Sequence, residues 1–502
     1  MFSRIFPLIA LLVGAGIAPF FASAGAPKDD EPGQNWNSYY FLASGPESRI
    51  LEILQKQNAS SSTFQAEDGT AARRIFRIQI EHLREFESDK EIRILEEPPF
   101  RLVDPDISSR RQNAVEFWRG YKDEVVVEKI AADLVAKYPS VCRDIIIGRT
   151  IEGRAIHALK ISDNPEEDED EPGVLFNAAH HGNEVLSVEY ALDTARFLLE
   201  NYGNGNGDTA DIVNEFETWV VPLVNPDGLH HFWNDSWKAG RKNARDTILP
   251  RGWNQGDGID LNRNYPFRWN SGFVLASSSR PWQYFYRGPH PGSEPETRAM
   301  MDLARKKRFA MSISFHTNAC RILVPYTADA TGSPFPDAVW RAGRLLAQAG
   351  QSHRTDRNYE AVRNLYPVDG TDQDWLHHSF GSLSFIAEGS YQSPPFEIAE
   401  RSIQGMRPIA LKLYDIYRDG PTLSVLVTDE ENRPLEAEVR ILEYAYLENE
   451  RFLTKPSTGS FDFFLEDGGE FTVQARRQEY QDARAKTLCQ RGICRVHLIL
   501  TR

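Results

Sequence analysis

Short apolar runs alternate with amphipathic stretches through the middle of the chain. The apolar runs predict β-strands at 144–147, 155–161, 174–177, 219–224, 309–315 and 382–387. Apolar residues at helical spacing predict α-helices at 125–138, 185–201, 296–307, 337–349 and 397–417. This alternation predicts an α/β fold with a mixed, mostly parallel sheet and helices on both faces. Ligands of such a sheet bind at the carboxyl ends of its strands.

The regions on either side of this alternation follow other patterns. Before it, the order strand, helix, strand, helix, strand predicts a small α+β unit, with helices around 48–57 and 80–86 and a last strand at 91–95. After Gly420, short alternating runs are separated by turns, at 422–428, 437–444, 451–453, 459–465, 470–475 and 494–500. These short runs predict a C-terminal all-β sandwich.

The first residues have the pattern of an export signal. Arg4 precedes an apolar stretch at 5–21, and Ala22-Ser23-Ala24 follows as a cleavage site of small residues. The pattern predicts a signal peptide over 1–24, cut after Ala24, and a secreted or periplasmic protein. Two prolines interrupt the apolar stretch and disfavour the alternative, a transmembrane anchor.

The net charge indicates which classes of partner are disfavoured, and the cysteine content indicates which disulfides could form after export. The 502 residues are enough for several domains, and their net charge of −15 argues against nucleic acid or an anionic membrane as partner. Export permits disulfides, and Cys489 and Cys494 are close enough for a local bridge. Cys142 and Cys320 could pair or remain as small buried residues, and the sequence leaves both open, as it does the oligomeric state.

A metal-binding pattern follows the apolar run at 174–177. His181 and Glu184 are three residues apart, where a strand is expected to give way to a helix, so both side chains can face one point. Alone, this pair is weak evidence, because short motifs often match by chance. His316 ends another apolar run and can supply the third ligand, since a catalytic zinc site has three protein ligands and one open position.

Further motifs resemble the zinc carboxypeptidase family of carboxypeptidases A and B, in that family's order. After His181 and Glu184 come Asn225-Pro-Asp-Gly228, Arg241-Lys242, Asp260-Leu-Asn-Arg-Asn264, Ser293-Glu-Pro-Glu296 and His316. Tyr366 lies eight residues before Asp374-Trp375, and Glu388 lies thirteen after Trp375. The resemblance covers about 115 to 418 and implies a metallocarboxypeptidase, a hydrolase that cuts the last peptide bond of a protein or peptide.

The resemblance also implies the parts played by individual residues. One zinc ion per chain would be held by His181, Glu184 and His316, with water in the fourth position. Glu388 would be the general base, and Arg241 would stabilise the oxyanion. The substrate-binding residues would be Asn262, Arg263, Tyr366 and Gln373. The first two of these would hold the terminal carboxylate, Tyr366 would close over the bound residue, and Gln373 would lie on the pocket floor.

Two features resemble the regulatory branch of this family, which prefers C-terminal Lys or Arg. They are Gln373 and the C-terminal sandwich, which is similar to a transthyretin-like domain with 427–434 as its first hairpin. That branch, however, places an aspartate eleven residues after the third zinc ligand, where this chain has Thr327, with Asp329 two further on. A preference for basic residues is therefore left open.

These expectations divide the chain into four parts. They are the signal peptide at 1–24, a propeptide-like α+β domain and linker at 25–112, the catalytic domain at 113–418 and the transthyretin-like sandwich at 419–502. Arg110-Arg111 in the linker could be a processing site or two solvated arginines. Two alternative functions remain, a cell-wall or γ-glutamyl peptidase or amidase on the same fold, and an inactive binding homologue.

Several other polar residues are weaker candidates. His180 adjoins a ligand without a partner at metal spacing, and surface or supporting roles are expected for His230, His231, His377 and His378. Asp260 and Asp374 could orient the imidazoles of the metal ligands. The acidic run at 166–171 lacks the spacing of a calcium loop and is expected to be a solvated loop.

Overall fold

The structure is a computed structural model that describes most of the chain beyond residue 39. The described residues are 40–44, 46–57, 61–66, 73–79, 91–95, 102–103, 118, 120–234, 240–247, 257–273, 275–317, 319–352, 358–363, 366–390 and 393–502. The expected signal peptide, the helix at 80–86 and Arg110-Arg111 lie outside them. The chain forms two compact units, one ending at Asp104 and one continuing from Pro105 to Arg502.

The first unit is a five-stranded sheet with one described helix. Its elements are β1 (Tyr40–Ser44), α1 (Glu47–Gln57), β2 (Ser61–Ala66), β3 (Arg73–Gln79), β4 (Arg93–Leu95) and β5 (Leu102–Val103). The strands lie in the order β4-β1-β3-β2-β5, and every neighbouring pair is antiparallel. Ile50, Ile53 and Leu54 form the buried side of α1. The helix expected around 48–57 and the strand at 91–95 are confirmed.

The second unit is built on an eight-stranded mixed sheet. Its strands are β6 (Cys142–Arg149), β7 (Ala155–Ile161), β8 (Gly173–Ala178), β9 (Glu217–Val221), β10 (Met311–Thr317), β11 (Arg321–Leu323), β12 (Glu360–Val362) and β13 (Leu383–Gly389). They lie in the order β12-β11-β13-β10-β8-β9-β7-β6. The central strands β13, β10, β8 and β9 are parallel, whereas β6, β7 and β11 make antiparallel pairs. The expected sheet class is confirmed.

Helices cover both faces of this sheet. They are α2 (Glu124–Lys137), α3 (Val185–Gly203), α4 (Gly207–Glu215), α5 (Pro226–Asn234), α6 (Pro295–Lys307), α7 (Ala338–Ala349), α8 (Asp372–Phe380) and α9 (Phe396–Asp419). Apolar residues of α2, α3, α7 and α9 pack in one core, and those of α6 and α8 pack in another with Trp219 of β9. Within the described residues, no helix is long and apolar enough to cross a membrane.

Local sequence explains where several helices begin. The carboxylate of Asp123 accepts a hydrogen bond from Val126 N at the start of α2, and Asp337 caps α7 in the same way through Trp340 N. Helix α6 has a proline in its first turn, where the missing N–H costs nothing, and three basic residues in its last turn, which favour the negative end of the helix dipole.

The sequence analysis missed the shorter elements of the catalytic region. Helix α5 begins at Pro226 inside the Asn-Pro-Asp-Gly motif, which has the composition of a turn. Helix α8 is polar in its first turn and short, and strands β11 and β12 have three residues each. Such short segments carry too few positions for a period to be recognised.

The C-terminal region consists of two small sheets around one core. Its strands are β14 (Thr422–Asp429), β15 (Glu438–Ile441), β16 (Phe452–Leu453), β17 (Ser460–Phe464), β18 (Gly469–Arg476), β19 (Ala483–Cys489) and β20 (Ile493–Leu500). The sheets have the orders β17-β14-β20 and β16-β15-β18-β19, and their apolar side chains form a single cluster. The predicted sheet-rich C-terminal region is confirmed, and its likeness to a transthyretin-like domain stays a prediction.

Two local features of this region were expected. The chain does reverse at 427–434, where Thr428 and Pro434 form a bridge, but β14 pairs with β17 and β20 while β15 joins the other sheet. The segment is a short hairpin, closed by hydrogen bonds from Asp429 N to Arg433 O and from Leu435 N to Val427 O at 3.0 Å each, so the expected hairpin is confirmed although the strands that flank it lie in different sheets. Cys489 and Cys494 form the expected disulfide, whereas Cys142 and Cys320 are free and buried.

Candidate metal centre and active site

Three side chains meet at the carboxyl ends of β8 and β10. His181 Nδ1 lies 2.7 Å from Glu184 Oε1, and His316 Nδ1 lies 3.0 Å from Glu184 Oε2. One ligand atom from each residue lies within 4.8 Å of the other two, and all three residues are buried. We call His181, Glu184 and His316 the metal group. The structure thus brings together the three residues that the sequence analysis selected as ligands.

The backbone between His181 and Glu184 is held against helix α5. Gly182 has no room for a side chain, because a Cβ atom would lie 2.2 Å from Leu229 N. The Ser187 hydroxyl donates to Glu184 O at 2.6 Å and accepts from Ala179 N at 3.1 Å. The close approach and these two hydrogen bonds fix the turn that leads from β8 into α3, so the metal group is held by rigid elements.

Asp260 links one metal-group imidazole to Arg241. Asp260 Oδ1 lies 3.2 Å from His181 Nε2, and Arg241 donates to Asp260 Oδ2 at 3.0 and 2.8 Å. Burial alone would raise the pKa of Asp260, but the charges of Arg241, Arg263 and His181 hold it well below its usual range. The aspartate is therefore ionised and fixes the orientation of the His181 ring, as the sequence analysis expected for this residue.

Arg241 lies beside the metal group. Its Nη1 atom is 3.2 Å from His181 Nδ1 and 3.7 Å from Glu184 Oε1, and its guanidinium stacks on the ring of Tyr284 at 4.5 Å. The Asn225 amide donates to the backbone oxygens of both His180 and Arg241, at 3.2 Å each. The Asn-Pro-Asp-Gly motif thus joins the segment that carries Arg241 to the segment that carries His181. The sequence analysis did not assign this role.

Glu388 is positioned by strand pairing next to a metal ligand. It is the partner of His316 in the register of β10 and β13. Its buried Oε2 atom has no hydrogen-bond partner among the described residues. Burial and the charge of Glu184 raise the pKa of Glu388 to about 7. A carboxylate with these properties can take up and release a proton near neutral pH.

Arg263 and Asn262 lie on a short 3₁₀ turn, 261–263, that follows Asp260. Arg263 donates from Nη1 to Asn262 O at 2.8 Å and from Nε to Ala276 O at 3.2 Å, and its Nη2 makes no hydrogen bond with the described residues. Asn262 is buried, accepts from Asp372 N at 2.9 Å and has its Nδ2 3.4 Å from His316 Nε2. Arg263 thus keeps a free donor, whereas the Asn262 amide already has partners.

Tyr366 and Gln373 differ in exposure. Tyr366 is 55% exposed. Gln373 is buried, and its Nε2 donates to Thr327 Oγ1 at 3.1 Å. The Gln373 Oε1 atom is buried without a hydrogen-bond partner among the described residues. The tyrosine is therefore accessible to solvent, whereas the glutamine holds a buried acceptor without a partner among the described residues.

Most of the weaker candidates have structural partners. His180 Nε2 lies 2.8 Å from the Tyr265 hydroxyl, and burial lowers the pKa of His180 to about 4, so the ring is neutral. The other histidines contact Glu124 (His230), Glu152 (His231), Ser382 O (His377) and Glu448 O (His378). Asp374 accepts from Thr327 N and Ala328 N and contacts neither imidazole of the metal group, so the orienting role suggested for it was wrong.

A second acidic group lies in the loop after β7. Carboxylate oxygens of Asp163, Glu169 and Glu171 lie within 4.8 Å of one another, and all three residues are partly exposed. Burial and the charge of Asp163 raise the pKa of Glu171 to about 7. The group includes Glu169 and Glu171 of the acidic run, for which the solvated loop stays a prediction.

The sheet and the metal group together define a class. Two histidines and one glutamate at the carboxyl ends of parallel strands form a three-ligand set of the catalytic zinc type, and a glutamate of raised pKa lies beside it. These features define a zinc-dependent hydrolase with an α/β fold.

Comparison with known proteins identifies the family. The family model described as zinc carboxypeptidase, Peptidase_M14, matches residues 127–407. This chain belongs to the zinc carboxypeptidase family and is a metallocarboxypeptidase whose cofactor is zinc. The family resemblance, the enzyme class and the cofactor expected from the sequence are confirmed.

Curated relatives carry the same description. A zinc carboxypeptidase of Saccharothrix mutabilis subsp. capreolus is 28% identical over 418 residues, which are 78% of this chain and 90% of the relative. Metallocarboxypeptidase A of Trichophyton rubrum is 32% identical over 235 residues, 45% of this chain and 53% of that protein. The chain thus spans most of the bacterial relative and about half of the fungal one.

Solved structures share the fold. The crystal structure of thrombin activatable fibrinolysis inhibitor matches with a TM-score of 0.57 at 18% identity, over 75% of this chain and 98% of that one. The carboxypeptidase A of Helicoverpa armigera matches with a TM-score of 0.54, also at 18% identity, over 75% of this chain and 96% of that one. At such identity the likeness establishes the fold alone.

Proposed function

We propose that this chain is an exported enzyme that removes single residues from the C-terminus of proteins or peptides. The observation that carries the proposal is the metal group beside Glu388. Three ligand atoms within 4.8 Å of one another adjoin a buried carboxylate oxygen that lacks a partner among the described residues. A site of this kind holds a metal and a proton acceptor side by side, which is what hydrolysis by an activated water requires.

The metal group suits zinc in number and kind of ligands. Both histidines turn Nδ1 toward Glu184, while His181 Nε2 faces Asp260, so the ligand nitrogen of that ring is Nδ1 and its tautomer is fixed. Zinc bound there would polarise the scissile carbonyl and lower the pKa of water.

Glu388 and Arg241 would carry the chemistry on the protein side. The Glu388 carboxylate would accept the proton of the attacking water and then deliver it to the departing amine. Arg241 is held by Asp260 beside the metal group, so its guanidinium would face the negative charge that develops on the carbonyl oxygen. Because Asp260 already orients the guanidinium, little reorganisation is needed when that charge forms.

Arg263, Asn262 and Tyr366 would recognise the chain end. The free Nη2 of Arg263 can donate to the terminal carboxylate, and the charge-assisted bond would select substrates that end at this point. The Asn262 amide is engaged with Asp372 N, so its part would be to hold this turn in place and add a contact to the carboxylate. Tyr366, which is exposed, would cover the bound residue.

Gln373 would contact the side chain of the released residue. Its unpartnered Oε1 is a buried acceptor, and an acceptor left empty costs about 1–3 kcal/mol. A C-terminal side chain that donates an N–H, such as Lys, Arg or Gln, would fill it, whereas a carboxylate would be repelled. Asp329 is exposed, so the basic preference would rest on Gln373.

The export signal and the domain division form part of the same proposal. A cut after Ala24 would release the protein, and the Cys489–Cys494 disulfide supports an oxidising compartment. The segment 25–112 would be a propeptide-like unit before the catalytic domain at 113–418 and the C-terminal sandwich at 419–502. N-terminal sequencing of the protein recovered outside the cytoplasm would show the cut.

The activity test is release of the C-terminal residue from blocked dipeptides ending in Lys, Arg, Gln, Phe, Leu or Glu. We expect release that stops with a zinc chelator, returns with added zinc, and is faster for Lys, Arg and Gln than for Glu. The full chain and 113–502 would be compared, since activity only in the shorter protein would make 25–112 inhibitory.

The same preparations would be tested on cell-wall peptides with γ-glutamyl links. Cleavage of these alone would replace the proposal with the amidase alternative, and no cleavage at all would favour an inactive binding protein.

A further inference from the structure

One loop of the C-terminal region pairs with the loop of the catalytic region that carries Thr327, the hydrogen-bond partner of Gln373. We call residues 442–450, between β15 and β16, the sandwich loop, and residues 324–337, between β11 and α7, the pocket loop. The two are joined by backbone hydrogen bonds between Phe335 and Ala445, at 3.0 and 2.9 Å. Gly332 N also donates to Glu448 Oε1 at 3.1 Å. The two loops therefore form one paired structure.

A buried hydrogen bond lies at the centre of this pairing. The Tyr326 hydroxyl donates to Glu450 Oε1 at 2.8 Å, and Glu450 Oε2 accepts from Glu448 N at 3.0 Å. Tyr326 is fully buried and Glu450 is 7% exposed. The tyrosine ring packs between Phe267 and His377, with centroids 4.8 and 5.2 Å away. A carboxylate buried in this way depends on its few partners, so the bond constrains the backbone at Tyr326.

The next residue of the pocket loop contacts Gln373. Thr327 Oγ1 accepts from Gln373 Nε2 at 3.1 Å, and Thr327 O accepts from Val368 N at 3.0 Å. Val368 lies two residues after Tyr366. Thr327 is therefore bonded both to the glutamine proposed for the pocket and to the segment that carries the proposed cover of the site. Asp374 also holds Thr327, accepting from its N at 2.8 Å and from its Oγ1 at 3.0 Å, so the Tyr326 bond acts on these contacts together with Asp374.

We infer that Glu450 and Tyr326 are positioning residues for substrate selection, through which the C-terminal region sets the place of Gln373. This inference rests on the proposed function, because it needs Gln373 to meet the released side chain. Neither residue touches the substrate. Their part is to keep Thr327 where its hydroxyl holds the Gln373 Nε2 atom, so that Oε1 stays turned into the pocket.

Some other polar contacts between the two regions also reach α8 or the pocket loop, since His378 Nε2 lies 3.2 Å from Glu448 O and Asp337 N donates to Glu466 Oε2 at 2.9 Å, but the Tyr417 bond touches neither element. Tyr417 of α9 donates to Asp462 Oδ1 at 3.1 Å, and Arg308 pairs with Glu436 after the last turn of α6. The Tyr417 bond has the same chemistry as the Tyr326 bond, a buried tyrosine hydroxyl donating to a carboxylate of the C-terminal region. It therefore supplies a matched control.

The test compares Tyr326→Phe with Tyr417→Phe in the full chain. Each change removes one hydroxyl and leaves the packed ring, and thermal unfolding would verify that both proteins fold. For the best substrate of the dipeptide panel, Tyr326→Phe should raise KM about fivefold with kcat unchanged. A dipeptide ending in alanine, whose methyl group is too short to reach Gln373, should keep its KM in the same variant. Tyr417→Phe should leave both substrates unchanged.

A double substitution adds a readout that a structural role would not produce. Glu450→Gln removes the charge at the same bond, so Glu450→Gln and Tyr326→Phe together should change selectivity no more than the larger single effect. Equal losses for both substrates, equal losses in Tyr417→Phe, additive effects in the double variant or no change in Tyr326→Phe would each overturn the inference. Failure of the unsubstituted enzyme to release any residue would instead count against the proposed function.

Discussion

Two groups of charges on the same sheet differ in whether their glutamate has an ion pair with a neighbouring cation. At the carboxyl ends of β10 and β13, the metal group adjoins Glu388, whose Oε2 has no partner among the described residues. At β7 and β9, Lys160 Nζ lies 2.9 Å from Glu217 Oε1, and Lys455 Nζ lies 3.6 Å from Glu217 Oε2. Glu388 has no ion pair among the described residues, whereas Glu217 lies between two lysines, although its Oε2 also makes no hydrogen bond there.

The difference separates charge that stabilises the fold from charge that is kept for a substrate. A buried ion is costly unless it is paired, so the contacts of Glu217 hold β7, β9 and the C-terminal region together. A buried carboxylate left without a partner costs stability and is retained where chemistry needs it. Glutamate-to-glutamine substitution, which keeps shape and removes charge, can test this difference at several positions.

The largest effect is expected at Glu388. Glu388→Gln should lower kcat about 10³-fold, because an amide cannot accept the proton of the attacking water. KM and the zinc content should stay close to those of the unsubstituted enzyme, since Glu388 is not a ligand. Steady-state kinetics on the best dipeptide, with metal analysis of the same sample, measures all three. A decrease of only a few-fold would remove Glu388 from the role of general base.

A loss of stability without a loss of activity is expected at Glu217. Glu217→Gln should lower the free energy of unfolding by about 3 kcal/mol, because Lys160 would remain buried without a counter-charge and Lys455 would keep only Asp168, 4.0 Å from its Nζ. Denaturant unfolding measures this change, and kcat/KM at 25 °C should be unaltered. Glu200→Gln is the control, since the Arg196–Glu200 pair is exposed and is expected to contribute less than about 1 kcal/mol. An equal effect of the two substitutions would contradict the comparison.

The sequence predicted the metal group better than the surroundings that support it. His181, His316 and Glu388 follow or end apolar strands. The carboxyl edge of a parallel sheet brings such positions together independently of the conformation of the loops. Asn225 and Thr327, by contrast, act through partners far away in sequence. No local period records such a bond, so it becomes visible only once the loops are placed.

Asp260 and Asp374 show that a sequence motif alone does not predict which partner a side chain will contact. Both are buried aspartates in family motifs, and both were suggested as partners of the imidazoles of the metal group. Asp260 lies on the turn next to His181 and makes that contact, whereas Asp374 faces away and accepts from the pocket loop. Residue type and motif did not distinguish the two aspartates. The direction of helix α8 determines that Asp374 contacts the pocket loop and not an imidazole of the metal group.

The smallest effect on catalysis is expected at Glu296, which tests whether an unpartnered carboxylate is enough to mark a site. Glu296 Oε1 is buried without a partner among the described residues, as Glu388 Oε2 is, but the residue lies in the first turn of α6, where its Oε2 accepts from Asn243 Nδ2 at 3.1 Å. It therefore lacks the neighbours that would give its proton a use, and Glu296→Gln should leave kcat unchanged.

Its effect should appear in the pH dependence of stability. Burial, with the charge of Glu294 adding to it, raises the pKa of Glu296 to about 8, against about 4.3 in an unfolded chain. Between these values the folded state holds a proton that the unfolded state has lost, so stability falls as pH rises through the window and levels off above it. Glu296→Gln removes that slope. The variant should therefore gain on the unsubstituted protein by roughly 3–4 kcal/mol from pH 5 to pH 8, since each unit of pH in the window is worth about 1.4 kcal/mol. Parallel stability curves, from denaturant unfolding at several pH values, would mean that Glu296 is ionised and paired, and would place it with Glu217.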